Sequence, residues 1–424
     1  MEKGVGRVQL LIVLSASLFL TLNPSLYFSS SGNLVYAKPS ISDTNLIVQS
    51  VVQGLSSPTD MIFLDKNNIL VLEKEGNVRL VRNGTLQDRP VLQITVNATS
   101  ERGLLGITMS TDNKSPNSNI FLYYTKEDPL RNRIYKFQWN GETLVNPSMI
   151  LDLPAKPGPH HNGGKMVIGP DGYLYAVVGD LHIVPDRRHP EVTGRILRIS
   201  PIDGSAAPDN PFVSNGENVS KYYAYGIRNS FGIDFDPVTN NLWDTENGPI
   251  RFDEINLVRP GFNSGYYKVM GPLSLSGKTE NDLLNLPGSH YADPVFSWNK
   301  TVAPTDIEFF RSSKLGDEYM NNIFVGDVSR GNLYFFELNR TRDGIEFNTS
   351  QQKHGLSDFV VNNEEELSAI AFGRGFGGIT DIETGPDGFL YVLSYYNESE
   401  SRHLNLSLKN NGTIYRISSN NMSR

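Results

Sequence analysis

The sequence predicts an all-β chain folded as a six-bladed β-propeller. Three observations lead there: a short strand pair that recurs six times, turn chemistry at the entrance to those pairs, and the lack of any sustained helical period. The composition agrees, with Gly 38, Pro 24, Tyr 19 and Phe 21 in 424 residues. That is a turn-rich, aromatic make-up.

The first half of each pair is a turn followed by two or three apolar residues. The copies are Ile69-Leu70-Val71, Ile120-Phe121-Leu122, Leu174-Tyr175-Ala176, Leu242-Trp243-Asp244, Ile323-Phe324-Val325 and Leu390-Tyr391-Val392. The second half opens on a small or polar pair and then alternates, as half-buried strands do. Its copies start at Gly76, Asn132, Gly194, Asp253, Gly331 and Gly412. Gly169-Pro170-Asp171-Gly172 and Gly385-Pro386-Asp387-Gly388 place Pro where φ is fixed and Gly where φ is free. The copies lie about 50 to 80 residues apart, against about 40–50 for compact propeller repeats, so long loops are inserted. A β-sandwich with coincidental turns is the alternative. No Pro/Gly/Ser-rich linker divides the chain, which reads as one domain over residues 44–417 with a polar tail at 418–424.

The ends and the charge narrow the function. Lys3 and Arg7 precede an apolar run over residues 8–22, and Val35-Tyr36-Ala37 is a small-residue cleavage site. The run is short for a membrane span and suits a signal peptide over residues 1–37, an uncleaved anchor being the alternative and the one membrane contact expected. Asn-x-Ser/Thr sites at Asn83, Asn97, Asn113, Asn218, Asn299, Asn339, Asn348, Asn397, Asn405, Asn411 and Asn421 agree with an exported, glycosylated protein at or beyond the cell surface. Lys and Arg number 38 against 46 Asp and Glu, a formal charge of −8, and no basic run offers a nucleic-acid surface. Cys is absent, which excludes disulfides, thiolate metal sites and cysteine nucleophiles.

Three loops carry more polar residues and glycine than a plain strand connection needs. In Pro159-His160-His161-Asn162-Gly163-Gly164-Lys165 a histidine is a possible general base, and Asp180 downstream could orient it. In Gly226-Ile227-Arg228-Asn229 an arginine entering a strand could meet a developing oxyanion. In Glu246-Asn247-Gly248-Pro249, followed by Asp253-Glu254-Ile255-Asn256, carbonyls, an amide and carboxylates are hard donors suited to Ca²⁺. Each loop has a structural alternative: a packed histidine, an arginine bonding carbonyls, a solvated acidic loop.

Together these loops resemble the soluble glucose/sorbosone dehydrogenase family of propeller quinoproteins. The matching stretches run in family order: Glu101-Arg102-Gly103-Leu104-Leu105-Gly106, His161-Asn162-Gly163-Gly164-Lys165, Gly179-Asp180, Gly226-Ile227-Arg228-Asn229, Glu246-Asn247-Gly248-Pro249, Gly261-Phe262-Asn263-Ser264-Gly265-Tyr266 and Val302-Ala303-Pro304-Thr305. The resemblance implies an oxidoreductase that removes hydride from a sugar to pyrroloquinoline quinone, with Ca²⁺ polarising the quinone. It makes His161 the base, Asp180 its holder and Arg228 the stabiliser of the reduced quinone oxygen. Asn229 and Asn247 would meet the cofactor, the carbonyls of Gly248 and Pro249 the metal, and Glu101 and His160 the substrate. Ser329, Gly378 and Thr380 stand where the family places cations for the quinone carboxylates, leaving Arg330 and Arg374 as the nearby substitutes. The implied partners are a sugar and an electron acceptor. Two further readings are open: a cofactor-less propeller that binds a surface partner, and a Ca²⁺-dependent lactonase-like hydrolase.

Overall fold

The computed structural model describes residues 26–28, 34–36, 39–110, 118–183, 194–395 and 412–420. Met1–Ala37 and Lys38–Arg424 are separate units. In the first, Leu26–Phe28 pairs antiparallel with Leu34–Tyr36. The apolar run read as an export signal lies outside the described residues, as do Asn113, Asn397, Asn405, Asn411 and Asn421.

The second unit is an all-β propeller. Its sheets form a ring in chain order, and their first strands are Pro58–Asp65, Leu104–Met109, Met166–Ile168, Ser230–Phe235, Pro304–Phe309 and Ile379–Thr384. Each first strand packs against the first strand of the next sheet, and the last packs against the first. The recurring apolar triplets are the second strands, for example Asn68–Glu73 and Leu390–Ser394. The alternating segments are the third strands, for example Asn77–Arg82 and Gly412–Ser419.

The ring closes by joining the two ends of the unit. Leu46–Leu55 is the outer strand of the sheet that holds Gly412–Ser419. Pairing extends past the boundaries read from composition at both ends. Ser418 and Ser419 pair with Ile47 and Leu46 rather than forming a tail, and Ser40–Ile41 pairs with Ala371–Arg374.

A repeated side-chain clamp holds neighbouring sheets at the axis. Asp60 Oδ2 accepts from the Ile107 N–H, Asp306 Oδ2 from Ile382 and Asp381 Oδ2 from Met61, at 2.8, 2.9 and 2.9 Å. The threonine before each aspartate donates three residues earlier on the same neighbouring strand. Thr59 bonds the Leu104 carbonyl, Thr305 that of Ile379 and Thr380 that of Pro58, at 2.8, 2.6 and 3.1 Å. Bulges at Pro58/Asp60, Pro304/Asp306 and Ile379/Asp381 turn these side chains out of the regular alternation. Apolar layers fill the wedges between sheets. Trp243, Phe296, Trp298, Phe309 and Phe336 form the most aromatic of them, and truncating a buried Trp there costs about 3–5 kcal/mol.

Candidate functional site

A cavity of about 380 Å³ opens at one end of the ring axis. Every sheet supplies it near the start of its first strand: Thr59, Leu105, Lys165, Phe231, Thr305 and Thr380. Of the residues named from sequence, Glu101, His161, Arg228, Asn229, Asn247 and Gly248 line it.

His161 is 4 % exposed and its Nδ1 lies 2.5 Å from Asp180 Oδ1. Asp180 is placed to accept a hydrogen bond from Nδ1–H, the tautomer in which the other ring nitrogen carries the lone pair. The local chain is fitted to this pair. His161 sits at φ 57, a left-handed value with a cost of order 1–3 kcal/mol for a non-glycine residue. A Cβ on Gly179 would fall 2.2 Å from the His161 carbonyl oxygen, so only glycine fits there. Asp180 is held in turn by its N–H on the Arg228 carbonyl at 2.9 Å.

Glu101 ties two walls together. Its Oε2 accepts the His161 N–H at 2.7 Å and Asn229 Nδ2 at 3.2 Å. Its Oε1 lies 3.3 Å from Nδ1 of exposed His160, which also meets Ser100 Oγ at 2.9 Å. Asn229 Oδ1 accepts the Gly163 N–H at 3.2 Å, and Asn247 Nδ2 donates to the Pro304 carbonyl at 2.8 Å.

Arg228 Nη1 donates to the carbonyls of Asn247 and Gly248 at 2.8 and 3.2 Å, while its buried Nε has no partner. Behind it, Glu246 accepts the Arg228 N–H at 2.6 Å, and burial raises its pKa to about 7. Asp253 accepts the N–H groups of Gly248, Val302 and Ala303 at 2.8, 2.5 and 2.7 Å. Burial raises its pKa to about 6 against those bonds.

Two sequence expectations are corrected. Arg330 forks onto Glu364 at 2.6 and 2.7 Å and lines a separate shallow depression beside Val302 and Leu367. Arg374 is exposed on the fourth strand of its sheet, between Leu333–Leu338 and Ser40–Ile41, and is not among the residues that line the cavity. Both lie on outer parts of the fifth sheet, so closeness in sequence to the axis did not become closeness in space. Pro249 is exposed and Gly248 alone of that pair reaches the cavity wall.

Sequence reading missed the floor. Lys165 Nζ sits among Asp60 Oδ1 at 3.1 Å, Asp306 Oδ1 at 3.2 Å and Asp381 Oδ1, one carboxylate from each of three sheets. It also missed Lys74, which lines the cavity, and His182, which stacks on His161. The recurrence of Thr-Asp before Met or Ile at residues 59, 305 and 380 was the available signal for the floor.

The residues present fit a calcium-bound quinone in three respects. An orphaned buried donor, Arg228 Nε, belongs to a side chain that lines the cavity. The Gly248 carbonyl and its neighbours are oxygen donors of the hard kind Ca²⁺ takes. A Cβ on Gly248 would fall 2.2 Å from the Arg251 carbonyl oxygen, so the turn that presents that carbonyl requires glycine.

An all-β propeller with a histidine–aspartate pair, an arginine and backbone carbonyls at one end of its axis agrees with the class that its relatives name, the sugar dehydrogenases. The chain belongs to the glucose/sorbosone dehydrogenase family, whose pattern it matches over residues 55–403. It is similar to the aldose sugar dehydrogenase of Escherichia coli, 25% identical over 372 residues, 86% of this chain and 93% of that one. Among solved structures it is similar to a putative oxidoreductase (glucose dehydrogenase) of Thermus thermophilus, with TM-score 0.68, 28% identity and 88% of this chain and 99% of that chain covered. The fold of the aldose sugar dehydrogenase of Streptomyces coelicolor, solved with pyrroloquinoline quinone bound, superposes with TM-score 0.66 at 24% identity over 90% of this chain and 99% of that one.

Proposed function

We propose that the chain oxidises an aldose at its anomeric hydroxyl, with pyrroloquinoline quinone as acceptor and Ca²⁺ beside it. The observation that carries this reading is the His161–Asp180 pair beside Arg228 at one cavity. His161 takes the hydroxyl proton on its free ring nitrogen, and Asp180 balances the imidazolium that forms. Glu101 holds the backbone at His161 and the Asn229 amide in one frame, so base and cofactor wall keep their spacing. Arg228 can exchange its carbonyl partners for a ligand oxygen, and Asn229 borders the same wall. When bound, the quinone would supply the two-electron acceptor and Ca²⁺, at the Gly248 carbonyl, the Lewis acid that polarises it. The quinone of the Streptomyces coelicolor neighbour and the aldose substrate class of the Escherichia coli relative support this assignment.

Six blades are the reading supported by the six first strands that pack in a ring. Export is supported by the N-terminal run and by the exposed acceptor sites Asn83, Asn218 and Asn348; recovery of the expressed chain from the medium, shortened at its N-terminus, tests it.

The function is tested by titrating the protein with pyrroloquinoline quinone in Ca²⁺, following absorbance, and adding an aldose at the end. Stoichiometric binding and bleaching of the quinone by sugar, abolished in His161→Ala, is the expected result. No binding at micromolar quinone overturns the proposal.

A further inference from the structure

Three of the seven histidines of the chain meet at this site, and the proposed reaction uses the ring of one. His182 stacks on His161 with ring centroids 4.0 Å apart and planes 18° apart, and meets His160 edge-on at 5.4 Å. Its own ring is exposed while that of His161 is almost fully covered, so His182 is the outer leaf of the stack. Both residues share one acceptor: Asp180 Oδ1 takes the His161 ring at Nδ1 and the His182 backbone N–H at 2.9 Å.

The backbone is bent to bring this ring there. Leu181 and His182 stand at φ 54 and 60, two successive left-handed non-glycine residues, a conformation that persists only where surroundings impose it. The surroundings are visible. The Leu181 N–H donates to the His161 carbonyl at 3.3 Å. Gly158 leaves room for the ring, since a Cβ there would come within 3.2 Å of His182 Cδ2. Buried Arg102 holds that loop by donating from Nη2 to the carbonyls of Ala155 and Gly158 at 2.5 and 2.8 Å.

We propose that His182 is a positioning residue for His161: by stacking on one face of the ring, it fixes the plane in which the free ring nitrogen meets the substrate hydroxyl. The proposal rests on His161 as the base. A single bond from Nδ1 to Asp180 leaves the imidazole free to rock about that bond. A flat ring at 4.0 Å on one face removes that motion, and a displacement of about 1 Å in a reacting group costs on the order of 10²-fold in rate. The contact is one of shape, so a flat apolar ring should replace it.

The test compares His182→Ala with His182→Phe in the full chain, with two readouts. In the protein without cofactor, the downfield proton on His161 Nδ1 is followed by NMR. It should stay sharp in wild type and in His182→Phe, and broaden or vanish in His182→Ala. In the cofactor-loaded protein, His182→Ala should lower kcat about 10- to 100-fold with KM for the aldose within about twofold, and His182→Phe should restore most of it. An unchanged Nδ1 proton and unchanged kcat in His182→Ala overturns the proposal, as does His182→Phe as slow as the alanine variant. Failure of the dehydrogenase reading looks different: no turnover in wild type, with the NMR contrast between the two variants intact.

Discussion

The floor and the wall of one cavity are both made of charged side chains, and they differ in how completely those charges answer one another. On the floor, Lys165 is enclosed by three aspartates, and each aspartate gives its second oxygen to a neighbouring strand. On the wall, among the described residues, Arg228 rests on two carbonyls with its Nε unpartnered, and His161 is hydrogen-bonded at one ring nitrogen. The floor is a joint between sheets; the wall keeps donors and acceptors that a ligand can claim. A cation close to a ligand is therefore no guide to binding unless its partners are weak enough to be exchanged.

The largest expected effects separate the two regions. Lys165→Met leaves three aspartates without their counter-charge, and breaking a buried ion pair from one side costs about 3–5 kcal/mol. Urea unfolding should record a loss of that size. His161→Ala leaves buried Asp180 without its ring partner and should cost about 1–3 kcal/mol in unfolding, less than the loss at Lys165, while lowering kcat by about 10²–10⁴. Lys165→Met that folds normally but binds quinone poorly would move Lys165 from the joint to the wall.

The sequence made this division hard to see. The second and third strands of each sheet were legible because they follow simple rules: an apolar run when buried on both faces, alternation when half-buried. The first strands follow neither rule. Thr59-Asp60, Thr305-Asp306 and Thr380-Asp381 place polar pairs in buried strands because both side chains reach the next sheet. Such a strand reads as a loop until its partners are known. The wall was more legible, since His161, Asp180, Arg228 and Asn229 lie in short glycine-marked stretches whose chemistry is local. Lys165 stood beside that histidine in sequence, yet its three partners come from two ends of the chain. His182 was invisible because stacking depends on two left-handed residues that no motif announces.

The third expectation concerns the Ca²⁺ proposed at the Gly248 carbonyl. Removing Ca²⁺ with a chelator should abolish quinone reduction by aldose, with activity restored by added Ca²⁺, while the urea midpoint of the cofactor-free chain in the absence of Ca²⁺ stays governed by the floor. Turnover that persists in excess chelator would detach the Gly248 carbonyl from the reaction.

A fourth, smaller effect is a slope with pH. Burial, with a contribution from Asp381 and against the pull of Lys165, raises the pKa of Asp60 to about 8. Burial likewise raises Glu308 and Glu246 to about 7. A carboxyl with a higher pKa in the fold than in the unfolded chain binds its proton more tightly when folded. The stability it contributes is complete below its ordinary pKa and is lost as pH climbs through the raised value. Unfolding free energy should therefore fall from about pH 5 to about pH 8. A flat or rising profile over that window would mean that Lys165 and the backbone donors keep these carboxyls ionised.

The smallest effect sharpens the comparison from outside the cavity. Arg330 is a fork on exposed Glu364, and a pair of that kind contributes about 0–1 kcal/mol. Arg330→Ala should shift stability by no more than that and leave quinone affinity unchanged, as measured by the same titration. Arg228→Ala, in contrast, removes the one arginine among the described residues that lines the cavity and should weaken quinone binding by the order of a charged hydrogen bond, about 1.5–3 kcal/mol, or about 10- to 150-fold. Equal losses in the two variants would require the loop of Arg330 to reach the ligand in the bound state. In that case the arginine's bond to Glu364 is an exchangeable one, and the test that places a cation on the wall is its partner's willingness to leave rather than its distance from the axis.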